Sequence, residues 1–333
     1  MIRSIYRTED GQCRFDLKPD DFTSAIQDEQ GLLWVDMQAE LPEVAEPILH
    51  ETFNFHPLAI DDALRESHVP KVDDWGEYLY LVLHAVILNQ RDGDPVDTLE
   101  VDIFFGRNYV VTYHEQAIDA VDRVWDVSQR DKRYLARGPD HLLYRLVDEL
   151  VAGYMPLADQ MDDTIDRLED RILSEPTSSN LEQVLALKRG LHHLRRVIAP
   201  QREVLNKLAR GDYGIIDAND RVFFRDVYDH LVRLHDINES MRDLVSDALS
   251  TYLSVINNRM NDIMKTLTVI TTLFMPISFV AGFFGQNFFQ PVAKPLMAWT
   301  GIPWFVLTVI IMIAMPLSMF LWIRRKGWMQ TLT

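Results

Sequence analysis

The sequence predicts an α+β membrane protein, with a cytoplasmic α/β domain, a long helical stalk and two C-terminal transmembrane helices. Three observations carry that expectation. The net charge of −17 is unevenly placed: residues 1–262 hold all 50 acidic residues and 28 of the 33 Lys and Arg, a net −22, whereas residues 263–333 hold no acid and five Lys or Arg. Two long stretches near the C-terminus lack any charge, and a third, just before them, lacks both Gly and Pro. A polar domain joined to a membrane-embedded tail accounts for all three.

Residues 1–135 read as the α/β domain. Leu32–Val35, Tyr78–Leu83, the alternating Val101–Gly106 and Tyr109–Tyr113 are strand-like, and acidic stretches such as Leu41–Phe53 read as connecting helices. Charges interrupt the first thirty residues, so no secretory signal is expected and this domain is placed in the cytoplasm. Residues 136–218 read as a helical hairpin with arms at 140–174 and 180–210, turning at Ser174–Ser179 with Asn180 as the N-cap. The first arm is acidic (Asp159, Asp162, Asp163, Asp166) and the second basic (Lys188, Arg189, Arg195, Arg196). Complementary charge across a hairpin is the simpler reading, and an ion reservoir is the alternative.

Residues 219–284 read as one stalk helix. Apolar residues recur at helical spacing (Val227, Leu231, Leu234, Ile237, Met241, Leu244, Ala248), and no Gly or Pro intervenes from Asp220 to Met275. Its end, Thr266–Phe284, is the first uncharged stretch, 19 residues long; the second, Pro303–Ile323, has 21. At about 1.5 Å per residue each approaches the roughly 30 Å hydrocarbon thickness. Arg324, Arg325 and Lys326 stop the second span and, with Lys265 at the start of the first, place both ends of the hairpin in the cytoplasm. Residues 285–302 then form an outer loop and 324–333 a cytoplasmic basic tail. Trp299, Trp304, Trp322 and Trp328 fall where interfacial aromatics are expected.

Counting in sevens from Asn261 collects Asn261, Met264, Thr268, Thr271, Met275, Ser278, Gly282 and Gly285 on one seam. Ile263, Val269, Ile270, Leu273, Phe274, Phe279 and Val280 occupy the other faces. Small and hydroxyl residues let membrane helices approach closely, but an amide and two thioethers on the same line favour a pore-lining face over a packing seam. One two-span hairpin cannot enclose a water-filled path, so a pore requires several subunits.

Composition removes other classes. A strongly acidic chain repels nucleic acid, and the single cysteine, Cys13, excludes an intrachain disulfide and a Cys-based zinc site. No phosphate-binding glycine loop or nucleophile elbow is present. His192 and His193 point about 100° apart on a helix and do not readily share one ion. An enzyme is therefore not expected.

Several segments together are characteristic. Gly285-Gln286-Asn287-Phe288 closes the first span, and Arg324-Arg325-Lys326-Gly327-Trp328 ends the second. His56-Pro57-Leu58-Ala59-Ile60-Asp61-Asp62, Pro70-Lys71-Val72, Phe224–His230 and Asn261-Asp262-Ile263-Met264-Lys265 leading to Phe274-Met275-Pro276 precede them in order. From about Leu32 to Trp328 the chain resembles the CorA family of divalent-cation channels, whose signature is Gly-Met-Asn where this chain has Gly-Gln-Asn. The resemblance implies a homopentameric funnel in the lipid bilayer of the cell membrane, passing hydrated Mg²⁺, with Co²⁺ and Ni²⁺ as further substrates. It implies Gly285, Gln286 and Asn287 as the selectivity filter, the seam together with the nearby Leu267 as pore-lining, and no organic cofactor. It also implies that cytoplasmic Mg²⁺ binds between subunits and closes the channel, with Asp61, Asp62 and Asp226 at matching positions. The family's acidic partner on the stalk matches Ser250, with Asp247 almost one turn earlier, so the regulatory set is Asp61, Asp62, Asp226 and Asp247. Two further departures are Gln286 in the signature and an outer loop that has no acid and contains Lys294. A proton-coupled Zn²⁺ transporter on the same fold, and a membrane-anchored metal sensor without transport, are the alternatives.

Overall fold

The structure is a computed structural model that describes residues 1–65, 69–88, 95–131, 133–285 and 302–326. It divides into two units, residues 1–249 and 250–333.

The first unit is built on a seven-stranded sheet of order β2-β1-β3-β7-β6-β5-β4. Its strands are β1 (Ile2–Arg7), β2 (Cys13–Phe15), β3 (Leu32–Gln38), β4 (Lys71–Asp74), β5 (Tyr78–Leu88), β6 (Val96–Gly106) and β7 (Tyr109–His114). Only β3 and β7 run parallel, with Leu33 opposite Tyr109 and Val35 opposite Val111. Alternation along the strands sorts side chains between two buried faces. Tyr78, Tyr80, Val82, Phe104, Val111 and their neighbours share one core with Phe22 of α1 (Pro19–Gln27), Ala45 of α2 (Pro42–Pro47) and Ile60 of α3 (Pro57–Leu64). Phe55 stacks on Phe104 there, with ring centroids 4.2 Å apart.

The four expected strands are present, each extended at one end. Strands β1, β2 and β4 were not expected, because Ile2–Arg7 carries two arginines and Lys71–Asp74 is three-quarters charged. Tertiary pairing explains β1. Arg3 bonds the fully buried Asp36 at 2.8 Å and Asp122 at 2.6 Å, and its guanidinium lies 4.4 Å from the Trp125 ring. Burial alone raises a carboxyl pKa, but the hydrogen bond and charge of His114, the charge of Arg3 and the Thr112 hydroxyl outweigh it, so Asp36 is held below the usual range.

Helices α4 (Asp119–Arg130), α5 (Pro139–Ala152), α6 (Tyr154–Ser174) and α7 (Ser178–Arg210) follow the sheet. The expected first arm of the hairpin is thus two helices. Pro156 has no N–H to return to the Ala152 carbonyl, and the chain turns at Gly153. The N-cap of α7 is Thr177 rather than Asn180: Thr177 is extended, and its hydroxyl oxygen accepts from the Asn180 backbone N–H. Asn180 is buried in the first turn and donates to the Glu175 carbonyl at 3.1 Å. Across the hairpin Arg171 donates to Gln183 at 2.9 Å, whereas Arg195 turns to Glu239 at 3.4 Å.

His141 on α5 is buried among the rings of Tyr134, Tyr144 and Phe223, whose centroids lie 5.5–5.9 Å away. Burial, with Arg137 and Arg145 nearby, pushes its pKa down from 6.5 to about 4. The unfolded chain therefore binds more protons between those values, so the stability that neutral His141 supplies is complete above about pH 6.5 and is lost as pH falls toward 4. Discounted for solvent screening, that is about 1–2 kcal/mol. Denaturant unfolding in micelles should show the native protein losing about that much more stability between pH 7 and 4.5 than His141→Phe. Equal losses would count against the assignment.

Helix α8 (Arg221–Phe284) is continuous for 64 residues, as the sequence predicts, and passes through Pro276 without a break. Within the first unit it buries Phe224, Val227, Leu231, Leu234, Met241, Val245 and Ala248. The stripe differs from the expected one at two positions. Leu244 is 38% exposed and Val245 takes its place, and Asn238 is buried where Ile237 was expected. The second unit contains the end of α8 and α9 (Ile302–Arg325), each long and apolar enough to cross a membrane. α9 exceeds the expected 303–323 span by one residue at its start and two at its end, and includes the basic Arg324 and Arg325.

Candidate ion pathway and regulatory carboxylates

On the span portion of α8, Asp262, Thr266, Val269, Thr272, Leu273, Pro276, Ile277 and Val280 are half-buried at helical spacing. The seam read from the sequence is the opposite case. Asn261, Met264, Thr268, Thr271, Met275, Ser278, Gly282 and Gly285 are all exposed, and so is Leu267. One protomer leaves the seam uncovered, while the half-buried stripe is mixed and includes Asp262, Thr266 and Thr272. Ile263, Ile270, Phe274 and Phe279 are also exposed, by 49–73%, as lipid-facing side chains of a span would be.

The hydroxyls of the seam have a defined polarity. Thr268 Oγ1 donates to the Met264 carbonyl at 2.7 Å and Thr271 Oγ1 to the Leu267 carbonyl at 2.9 Å. With each hydroxyl proton held by the helix, the oxygen presents lone pairs outward as an acceptor. Near the start of the seam, Asn261, Met264 and Thr268 of α8 and Met319, Trp322 and Ile323 of α9 border an open groove of about 950 Å³. Lys265, at the same level, is tied to Asp262 at 3.1 Å. Gly285 closes the helix: its N–H bonds the Ala281 carbonyl at 2.9 Å, and a Cβ there would lie 2.8 Å from that oxygen. The other two filter candidates, Gln286 and Asn287, lie outside the described residues, as do Lys294, Trp299 and Trp328.

The four regulatory candidates are solvent-accessible carboxylates on two helices. Asp61 and Asp62 lie on α3; Asp226 and Asp247 lie on the soluble part of α8 and are exposed. Their oxygen chemistry suits Mg²⁺. Within one chain they do not converge: among the described residues no group of three or more His, Cys, Asp or Glu could hold a metal ion. A site made from them needs carboxylates from more than one protomer. Two of them already have partners, Asp61 with Arg65 at 3.1 Å and Asp62 with Lys71. Asp148 on α5 is a neighbour that the sequence did not indicate. Burial raises its pKa first, Arg145 works against that, and Glu149 and Asp226 add to the rise. Ser250, at the position of the family's acid, is exposed.

A sheet domain, one continuous helix and two helices long and apolar enough to cross a membrane define the architecture of a membrane protein with two spans. The chain belongs to the family of CorA-like Mg²⁺ transporter proteins, whose model matches residues 29–325. The cobalt/magnesium transport protein CorA of Thermotoga maritima is 35% identical over 281 residues, 84% of this chain and 78% of that protein. The complete structure of the CorA magnesium transporter from Methanocaldococcus jannaschii shares the fold, with a TM-score of 0.82 at 23% identity and 98% coverage of both chains. The zinc transport protein ZntB of Yersinia pseudotuberculosis is 24% identical over 305 residues, 89% of this chain and 88% of that protein. The family is one of transporters of divalent cations, not of enzymes.

Proposed function

We propose that this chain assembles as a homopentamer around α8 and conducts hydrated Mg²⁺, with Co²⁺ and Ni²⁺ as further substrates, into the cytoplasm. The observation that carries the reading is the uncovered seam, whose threonine oxygens face outward as acceptors. Mg²⁺ dehydrates reluctantly, so a path lined by neutral acceptors can recognise the protons of its bound waters without binding the bare ion tightly. A carboxylate ring would hold a divalent ion and slow its exit. Gly285, Gln286 and Asn287 form the filter in this reading, and Met264, Leu267 and Met275 narrow the path and gate it by dewetting. The membrane potential supplies about 4.6 kcal/mol per divalent ion for each 100 mV, twice the value for a single charge. Arg324 and Arg325 at the end of α9, with Lys326 directly after it, set the orientation, with the sheet domain and the C-terminus in the cytoplasm. In liposomes with an inward-negative potential the purified protein should take up Mg²⁺; absence of Mg²⁺, Co²⁺ and Ni²⁺ flux would reject the channel.

A second reading is supported by the zinc-transporting relative. Proton-coupled Zn²⁺ transport keeps the architecture and changes the ion and the driving force. If uptake of Zn²⁺ ignores a pH gradient, that reading fails. Transport of any ion excludes a sensor that only anchors in the membrane.

Regulation follows from the carboxylates. Carboxylates brought together at a subunit boundary repel one another, and a divalent cation between them removes the repulsion and holds the closed arrangement. Asp62→Asn combined with Asp226→Asn should raise the Mg²⁺ concentration that half-closes the channel by at least about tenfold, the equivalent of about 1.4 kcal/mol. An unchanged concentration dependence of flux would remove both residues from the site.

A further inference from the structure

Lys71 opens β4, the edge strand of the sheet, and its ammonium sits between two elements. It bonds Asp62 Oδ2 on α3 and lies 3.0 Å from Asp73 Oδ2 on its own strand. Below it is the ring of Tyr80, with the ammonium 5.2 Å from the centroid. That ring is fixed, because the Tyr80 hydroxyl donates to the buried Asp102 at 2.6 Å. Lys71 is partly covered, at 31% side-chain exposure, whereas Asp62 and Asp73 are 43% and 42% exposed. Burial disfavours the ammonium, but its hydrogen bonds to Asp62 and Asp73 outweigh that, and its pKa lies above the usual value.

One cation is therefore shared between a carboxylate that the regulatory reading assigns to Mg²⁺ and a second carboxylate with no such role. A divalent ion needs bare carboxylate oxygens at close range, and an ammonium on the same carboxylate opposes it by direct charge repulsion. Asp73 and the Tyr80 face give the displaced ammonium a place to go, so metal entry at Asp62 does not strand a charge.

We propose that Lys71 is an internal competitor of the regulatory divalent cation. It occupies Asp62 when Mg²⁺ is scarce, shifts to Asp73 when the ion binds, and thereby sets the Mg²⁺ concentration at which the transporter closes. The proposal rests on the reading of Asp62 as a regulatory ligand, and its test separates the two.

The measurement is Mg²⁺ binding to the full-length protein in micelles by titration calorimetry, with Mg²⁺ inhibition of flux in liposomes alongside. Lys71→Met keeps the apolar stem over Tyr80 and removes the charge; half-saturation should fall about tenfold. Lys71→Gln, which keeps a polar tip on the edge strand, should shift binding in the same direction. Lys71→Arg, which keeps the charge, should stay within about threefold of the native value. Asp73→Asn removes the alternative position and should weaken Mg²⁺ binding, yet have little effect when added to Lys71→Met. If Asp62→Asn weakens binding and neither Lys71→Met nor Lys71→Gln strengthens it, the competitor role is overturned and the regulatory site stands. If none of these variants changes binding, Asp62 is not a ligand and both readings fall.

Discussion

Asn287→Ala should reduce Mg²⁺ flux by at least about a hundredfold while leaving assembly intact. The side-chain carbonyl of Asn287 is the neutral acceptor that the filter reading places at the outer mouth, and alanine removes it from every subunit of the ring at once. Hydrogen bonds to a partly dehydrated path contribute about 0.5–1.5 kcal/mol each. Loss of two or three such contacts to the water shell of one ion amounts to about 2.7 kcal/mol, or a factor of a hundred. The effect is expected on conduction and not on folding, because the sheet and α8, which ends at Phe284, do not include Asn287. Size-exclusion chromatography should therefore give the native assembly. Mg²⁺ uptake within a factor of two of the native protein would move the filter elsewhere, and the adjacent Gln286 amide would be the first place to look. Asn287→Gln keeps the carbonyl but moves it by one methylene, so partial flux with altered preference among Mg²⁺, Co²⁺ and Ni²⁺ is expected.

What the sequence made legible depended on the range of the interactions involved. The long helix and the two spans were readable because composition alone dictates them: no Gly or Pro before Pro276, and no charge through either span. The seam was readable because a seven-residue repeat projects to one face wherever the helix is placed. Strands that depend on a distant partner were not readable. Ile2–Arg7 looks polar until Arg3 is seen to bond the buried Asp36, thirty-three residues away, and Asp122 beyond it. For the same reason the sequence shows Lys71 only as part of a motif. Its contact with Asp62 joins a strand to a helix, and nothing in the spacing of nine residues indicates it. The candidate regulatory carboxylates could be picked out one by one through the family resemblance, but a single chain does not bring them together among its described residues. At the shorter range of a helix cap, Thr177 and Asn180 are both good capping residues, and backbone conformation decided between them.

The seam itself is open to a direct test, with a paired change on one turn of α8. Thr271→Leu replaces an outward-facing hydroxyl oxygen by a larger apolar side chain, and Ile270→Leu changes a residue that the seam reading turns toward lipid. Both positions are exposed in one protomer, Ile270 by 49%, so neither substitution disturbs a packed core, and neither removes a hydrogen bond on which the fold depends. The Thr271 hydroxyl only returns to the Leu267 carbonyl of its own helix, a bond whose loss costs the helix little. If the seam lines a pore, the Thr271 change acts on every subunit at the same height. It deletes a ring of acceptors and narrows a path that already has Met275 one turn above and Met264 below, which favours dewetting. Mg²⁺ flux should fall by about a hundredfold or more, equal to about 2.7 kcal/mol of added barrier, whereas Ile270→Leu should stay within about twofold of native. If the seam instead packs against a neighbouring helix, the larger leucine at 271 should lower the thermal stability of the assembly, and flux per surviving assembly should stay unchanged. The two outcomes differ in which quantity moves, conduction or assembly. A packing seam would also be disturbed by Ser278→Leu, whereas a pore seam predicts that Ser278→Leu blocks flux with the assembly intact.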